Sequence, residues 1–395
     1  MIRNFLILIL IGIPIFLLVE DQVFAQELEV KPVFKVDFKD PTQDKPQSKI
    51  WFSAGAWWAI LPDSIGPHVW KRNEGEWIKE ENLNIELRSL PGKADVYSEG
   101  GNQFIVLVGN CELKYLKLKT TSKSIRMELV NSIPIPPVCH EIETATITKD
   151  DSGTLWVGSD WNEQVLVWSS TDQGKTWSQP AFLGDSISKD DISVVSRIKG
   201  GISVVWSNQL EEAIYERVYL NNELDWSGLI TVSKGNQTAD DHLNSTLLED
   251  GRLILVTKNS VDQNGQPQFV LRVREEEGKW TDFPYVNLTE ETSPTRPVTT
   301  HLPNGMIIEA HTIGFSDGSA EISVNEVRIV SNQPLEVREI IRLKSANGAH
   351  LNNVSLSKQN YRGIPKGPWL ILFSDRNGNI YEFDLYPLIY ENHID

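Results

Sequence analysis

The chain is poor in cysteine and in positive charge: 395 residues carry 2 Cys, and 37 basic side chains stand against 54 acidic ones. Each shortage excludes something. Cys111 and Cys139 have no histidines at ligand spacing, so a zinc site is not expected. A formal net charge of −17 repels phosphate backbones and anionic membrane surfaces, which argues against nucleic-acid partners. No cysteine follows the N-terminal apolar run, so a lipoprotein anchor is not indicated. Past that run no stretch approaches the roughly 20 apolar residues of a membrane span. No long segment keeps helical periodicity, which points to an all-β chain.

What is present begins with an export signal. Arg3 supplies a positive start, Phe5 to Val19 is apolar except for Gly12 and Pro14, and Val23-Phe24-Ala25 offers a cleavage site before Gln26. The expectation is a signal peptide over 1–25 and a secreted, periplasmic or extracellular protein, an uncleaved anchor being the alternative. Export permits a disulfide between Cys111 and Cys139; two separate buried thiols are the other reading.

From residue 50 onward a unit of about 50 residues recurs. An apolar strand leads into a tight turn and a second, more apolar strand. The turns carry Gly100-Gly101, Ser152-Gly153, Gly200-Gly201, Asp250-Gly251 and Asn304-Gly305, pairs suited to short hairpins. A third strand follows, and a fourth often opens at tryptophan, as at Trp77, Trp177, Trp226 and Trp280. Four strands per unit at this period indicate a β-propeller over 26–395 as a single domain. Seven blades are expected, six being the alternative. The last unit lacks its outer strand while Leu28 to Phe38 reads as a strand without a sheet. Their pairing would close the ring and remove its exposed edges. Asp40 to Ser48, polar and proline-bearing, reads as a linker.

One stretch is more specific. Ser170-Thr171-Asp172-Gln173-Gly174-Lys175-Thr176-Trp177 reads Ser-x-Asp-x-Gly-x-Thr-Trp. Its Ser170 and Asp172 side chains can bond nearby amides, Gly174 permits a left-handed residue, and Trp177 can cover the sheet. With Thr176 completing the pattern, it resembles the Asp-box (BNR repeat) of sialidase-like β-propellers. The resemblance implies a propeller, with the box as a structural element away from the active site. Sialidase chemistry itself would need several arginines, a Tyr–Glu nucleophile and an Asp acid. The register brings only Arg296, with Arg376, to the mouth, and no Phe/Tyr-Arg-Ile-Pro signature is present. Classical sialidase activity is therefore not expected.

In a propeller the innermost strands start, and the second strands end, on one face. Those positions here are polar: Asp95, Glu141, Asp190-Asp191, Asp240-Asp241-His242, Arg296 and Asn353 at the starts, and Asn208-Gln209 and His311 at the ends. Converging carboxylates suit acid–base work, although any single Asp there can equally cap a turn. The leading expectation is a glycoside hydrolase with Asp191 and Asp241 as the carboxylate pair and His242 tuning one of them. Asp95, Glu141, Asn208, Gln209, Arg296, His311 and Asn353 are the candidate substrate-binding groups. One alternative is a uronate lyase, with Arg296 on the uronate and His242 or His311 as base. Another is a propeller that binds glycan or protein without catalysis, with Trp161 as an exposed stacking surface. No cofactor is required, though the oxygen-rich mouth could hold Ca²⁺. A glycan or polysaccharide is the expected partner, and the protein is expected to be a monomer.

Overall fold

The computed structural model describes residues 26–43, 46–302, 304–329, 336–358 and 367–390. The proposed signal over 1–25 lies outside them. Among the described residues, no helix is long and apolar enough to cross a membrane.

Seven antiparallel sheets of four core strands form a ring, a seven-bladed β-propeller. Blade one comprises Ile50–Ser53, Ala56–Asp63, Gly66–Asn73 and Glu76–Lys79. Blade three comprises Ala145–Lys149, Leu155–Trp161, Gln164–Ser170 and Ala181–Gly184. The innermost strands of blades two, four, five, six and seven are Lys93–Glu99, Ser193–Ile198, Leu243–Leu247, Thr292–His301 and Asn352–Ser355. The central strands are buried on both sides by their neighbours, as in Leu155–Trp161 and Gly201–Asn208, where every residue is buried. That is why their apolar residues run together rather than alternating with polar ones.

The N-terminal segment closes the ring, and it does so in two pieces. Gln26–Val30 adds a parallel strand to the outer edge of blade six, from Gln26 opposite Ile341 to Val30 opposite Ser345. Phe34–Lys35 then becomes the missing fourth strand of blade seven, Phe34 lying opposite Ile380. The Phe34 ring sits 4.2 Å from that of Trp70 and 5.7 Å from that of Trp77, both in blade one. One aromatic side chain on the closing strand therefore packs blade seven against blade one.

Junctions between blades repeat a chemical device. Glu382 of blade seven accepts hydrogen bonds from the Arg72 guanidinium and from Trp77 Nε1 (2.8 Å) of blade one. Glu216 of blade four accepts from Arg274 Nε (2.7 Å) and Trp280 Nε1 (2.8 Å) of blade five. A tryptophan near the start of the outer strand thus ties its blade to the preceding one.

At the blade two/three junction the Ser170–Trp177 turn takes that role. Ser170 Oγ accepts from Gly174 N (2.8 Å), and Asp172 accepts from Thr176 N (2.9 Å) and Thr176 Oγ1 (2.7 Å). The Thr176 amide and hydroxyl hold the Asp172 carboxyl down at about 2. Gly174 has φ +87°, and a Cβ there would run into the Tyr115 ring of blade two. Trp177 meets Tyr115 edge-on with ring centres 5.4 Å apart. The outer strand begins at Ala181, four residues later than the tryptophan suggests, because the turn occupies the intervening residues.

Cys111 and Cys139 are joined as a disulfide, with Cα atoms 5.2 Å apart. It ties the turn after blade two's second strand to the segment entering blade three.

The segment read as a linker is not one. Thr42, Gln47, Ser48 and Lys49 are each at most 3% exposed. Gln47 donates to Ala145 O in blade three, and Asn244 of blade five donates to Pro46 O. Ser48 Oγ donates to Leu356 O in blade seven, while Ser48 N donates to Asp95 Oδ1 in blade two. Residues 46–49 therefore cross the axis and stop the end of the channel where the innermost strands start. Their polarity reflects the backbone and side-chain bonds they satisfy inside, since a buried polar group without a partner costs about 1–3 kcal/mol.

Candidate functional site

The strand-start face gathers acids from three consecutive blades. Carboxylate oxygens of Glu143, Asp190 and Asp241, which precede the innermost strands of blades three, four and five, all lie within 4.8 Å of one another. Asp240 and His242 flank the same point. His242 Nδ1 is 2.5 Å from Asp240 Oδ1 and 2.5 Å from Asp241 Oδ1, so the imidazole links the two carboxylates. His242 is 7% exposed, and its Nε2 has no hydrogen-bond partner among the described residues. Asp240 also accepts from Lys258 Nζ (2.7 Å) and Ser260 Oγ (3.2 Å). Burial works against its charge, but the hydrogen bond from His242, with the Lys258 ammonium nearby, holds its carboxyl well below the usual carboxylate range.

Asp191 is placed differently. It is fully buried, and its carboxylate accepts from Ser188 N (2.6 Å) and Gln209 N (3.0 Å). It closes the loop entering blade four onto the end of that blade's second strand. Asp160 does the same in blade three, accepting from Glu143 N and Thr144 N at 3.0 Å each. That frame positions Glu143, which sequence reasoning passed over in favour of Glu141. The strand begins at Ala145, four residues later than a start at Glu141 implies, so the residues just before it are Glu143 and Thr144 rather than Glu141.

The other candidates disperse. Asp95 is fully buried and bonded to Ser48 N, Ile147 N and Lys358 Nζ, at 2.7, 2.8 and 2.7 Å. Asn208 caps the short 3₁₀ turn Gln209–Glu211 by accepting from Glu211 N. The amide of Gln209 serves Asp191. His311 lies inside the second strand of blade six, which runs on to Phe315, and is 3% exposed between Glu309 and the Phe269 ring. The sequence register ended that strand four residues too early. Arg296 and Asn353 sit at irregularities in their innermost strands with φ +57° and +55°. Trp161, expected to be exposed, is 7% exposed and packs edge-on to His140. Glu141 is the exception on this side. It lines an open groove of about 670 Å³ between blades one, two and three, together with Asp63, Arg88, Lys93 and Asn110.

At the opposite end the axis opens into a cavity of about 280 Å³. It is walled by the later halves of the innermost strands of blades two to six, among them Tyr97, Thr148, Arg197, Thr246 and Thr299, and by Lys358 just beyond that of blade seven. Burial, with Glu99 adding to it, pushes the Tyr97 phenol up, so it remains a neutral hydroxyl.

No family model matches the chain, and no curated protein matches it. Solved structures do. The periplasmic gluconolactonase of Pseudomonas aeruginosa superposes with a TM-score of 0.54 at 13% identity, over 81% of this chain and 88% of that one. The Dos1 propeller gives 0.51 at 10% identity, over 89% and 83%. A xylan β-1,4-xylosidase from Bacillus halodurans gives 0.40 at 15% identity over 63% of this chain, which spans 55% of that protein's length. What is shared is the β-propeller. At these identities the likeness extends to the fold and no further.

Proposed function

We propose that this protein is an exported, carbohydrate-active propeller that hydrolyses glycosides at the three-blade acid cluster. The observation that supports this reading is the approach of Glu143, Asp190 and Asp241 to within 4.8 Å. Retaining glycosidases hold their two carboxyl groups about 5–5.5 Å apart, whereas inverting ones leave about 6.5–9.5 Å for a water. Oxygens this close leave no room for the water of an inverting enzyme, so the reading takes the retaining course. Asp241, steadied by His242, takes the nucleophile's role. Asp190, exposed at the rim, protonates the leaving oxygen and then activates the incoming water. Asp191 belongs to the frame. The turn at Ser170–Trp177, read as an Asp-box, supports the same superfamily without bearing on the reaction.

The test is turnover of a panel of glycosides and polysaccharides, with the product anomer followed by NMR. Retention of configuration, lost in Asp241→Asn, is the expected result; no turnover on any glycan would remove the reading. The same three carboxylates carry a second reading. Hard oxygen donors from three blades suit Ca²⁺, and the propeller would then hold a glycan without cleaving it. A melting temperature raised by Ca²⁺ in the native protein but not in Asp241→Asn, with glycan bound and no turnover, would favour that reading.

A further inference from the structure

We propose that the axial cavity at the hairpin end is a second binding site, for a single sugar acid: a monosaccharide-sized polyol bearing one carboxylate. Its size sets the first limit. About 280 Å³ lies at the lower edge of small-molecule pockets, roughly 300–1,000 Å³, and admits one ring rather than a polymer. Its chemistry sets the second. The walls present hydroxyls from several blades, Thr148, Ser196, Ser245, Thr246 and Thr299 among them, with Ser196 and Ser245 bonded to each other at 2.6 Å. Such hydroxyls both donate and accept, which matches a polyol.

Charge sets the third limit. In a chain of net charge −17 this cavity is lined by two cations, Lys358 and Arg197, against one acid, Glu249. Lys358 lines it and gives Asp95 a hydrogen bond of 2.7 Å. Asp95 already accepts from the amides of Ser48 and Ile147, so its charge is well satisfied there. An ammonium has three N–H donors, and those not facing Asp95 are available to a ligand carboxylate. Arg197 lies on the wall and pairs with Asp151. Residues 46–49 stop the other end of the axis, so a ligand enters and leaves by the hairpin face. The site is separate from the acid cluster and does not rest on the hydrolase reading.

Calorimetry and thermal shift on the full mature chain test this, with D-galacturonate, D-glucuronate and D-gluconate as probes. Galactose, galactitol and acetate serve as controls at matched ionic strength. At least one sugar acid is expected to bind at least tenfold more tightly than its neutral counterpart and than acetate. Lys358→Met should weaken that binding at least tenfold. Because Lys358→Met also removes a partner of Asp95, Thr148→Val and Arg197→Gln provide independent variants, each expected to weaken binding several-fold. Asp241→Asn should leave it unchanged, which separates this site from the acid cluster. Equal binding of neutral and acidic sugars, no binding of any sugar acid, or undiminished affinity in both Thr148→Val and Arg197→Gln would overturn the proposal.

Discussion

The two ends of the axial channel are built from the same seven strands, yet they differ in access. At the strand-start end, residues 46–49 cross the axis and are bonded to blades two, three, five and seven. The ionisable groups left at the surface there are displaced sideways, into the acid cluster of blades three to five and the groove of blades one to three. At the hairpin end the described residues of blades two to seven line a cavity of about 280 Å³ along the axis. The contrast teaches that the polarity of strand ends marks where a propeller can work. A segment from elsewhere in the chain then decides which of those places is reachable.

The largest effect is expected from separating the chemistry of Asp241 from the structural work of Asp191. Asp241→Asn should lower glycoside turnover by about 10²–10⁴-fold with folding retained. Asp191→Asn should instead lower the melting temperature, because two backbone amides lose a charged acceptor, and should leave residual turnover in the folded fraction. Parallel kinetics and thermal melts check both. If Asp191→Asn abolishes turnover at unchanged stability, the division between reacting group and frame is wrong.

Asp95 tests the stopped end. It is fully buried and joins blade two to Ser48, Ile147 and Lys358. Asp95→Ala should cost about 3–5 kcal/mol, the usual penalty for leaving a buried ion pair half-made, measured by denaturant unfolding. The change should also weaken sugar-acid binding at the hairpin end, since Lys358 loses its anchor.

A smaller loss is expected far from both ends. Gly174→Ala places a side chain at φ +87° and against Tyr115. A left-handed residue costs about 1–2 kcal/mol and overpacking about 1–3 kcal/mol. The melting temperature should fall while turnover of the folded protein stays intact.

The smallest effect is a pH dependence. Asp172 has its carboxyl lowered to about 2 in the folded protein by its bonds to Thr176. A depressed carboxyl contributes stability that is present above its unfolded value, near 3.9, and is lost as pH falls towards 2. Acid melts of the native protein and Asp172→Asn should therefore converge as pH drops through that window. A gap that widens on acidification would contradict the assignment.

Much of this architecture was legible in the residues. Gly-bearing turns at a period of about 50 and strongly apolar second strands marked the blades, since hairpins and doubly buried strands have strong local requirements. The orphan N-terminal strand announced the closure, though not its division between blades six and seven, because a pairing partner more than 300 residues away leaves no local trace. The site was less legible. The sequence indicated that acids from consecutive blades would meet near Asp190-Asp191 and Asp240-Asp241-His242. It could not show that Asp191 turns inward to Gln209 and Ser188 while Asp190 turns outward, because adjacent residues point opposite ways and a one-residue error in register exchanges them. The same uncertainty hid Glu143 behind Glu141 and placed His311 at a strand end it does not occupy.

By itself, then, the sequence determined a ring of sheets, its closure by the N-terminal strand, and the polarity of the face where strands begin, all consequences of local patterning repeated seven times. Only the tertiary structure decided that residues 46–49 stop one end of the axis, that the acids meet off-centre, and that the open cavity lies at the hairpin end. Those outcomes depend on hydrogen bonds between segments remote in sequence, such as Pro46 with Asn244 and Asp95 with Lys358, which no local pattern encodes.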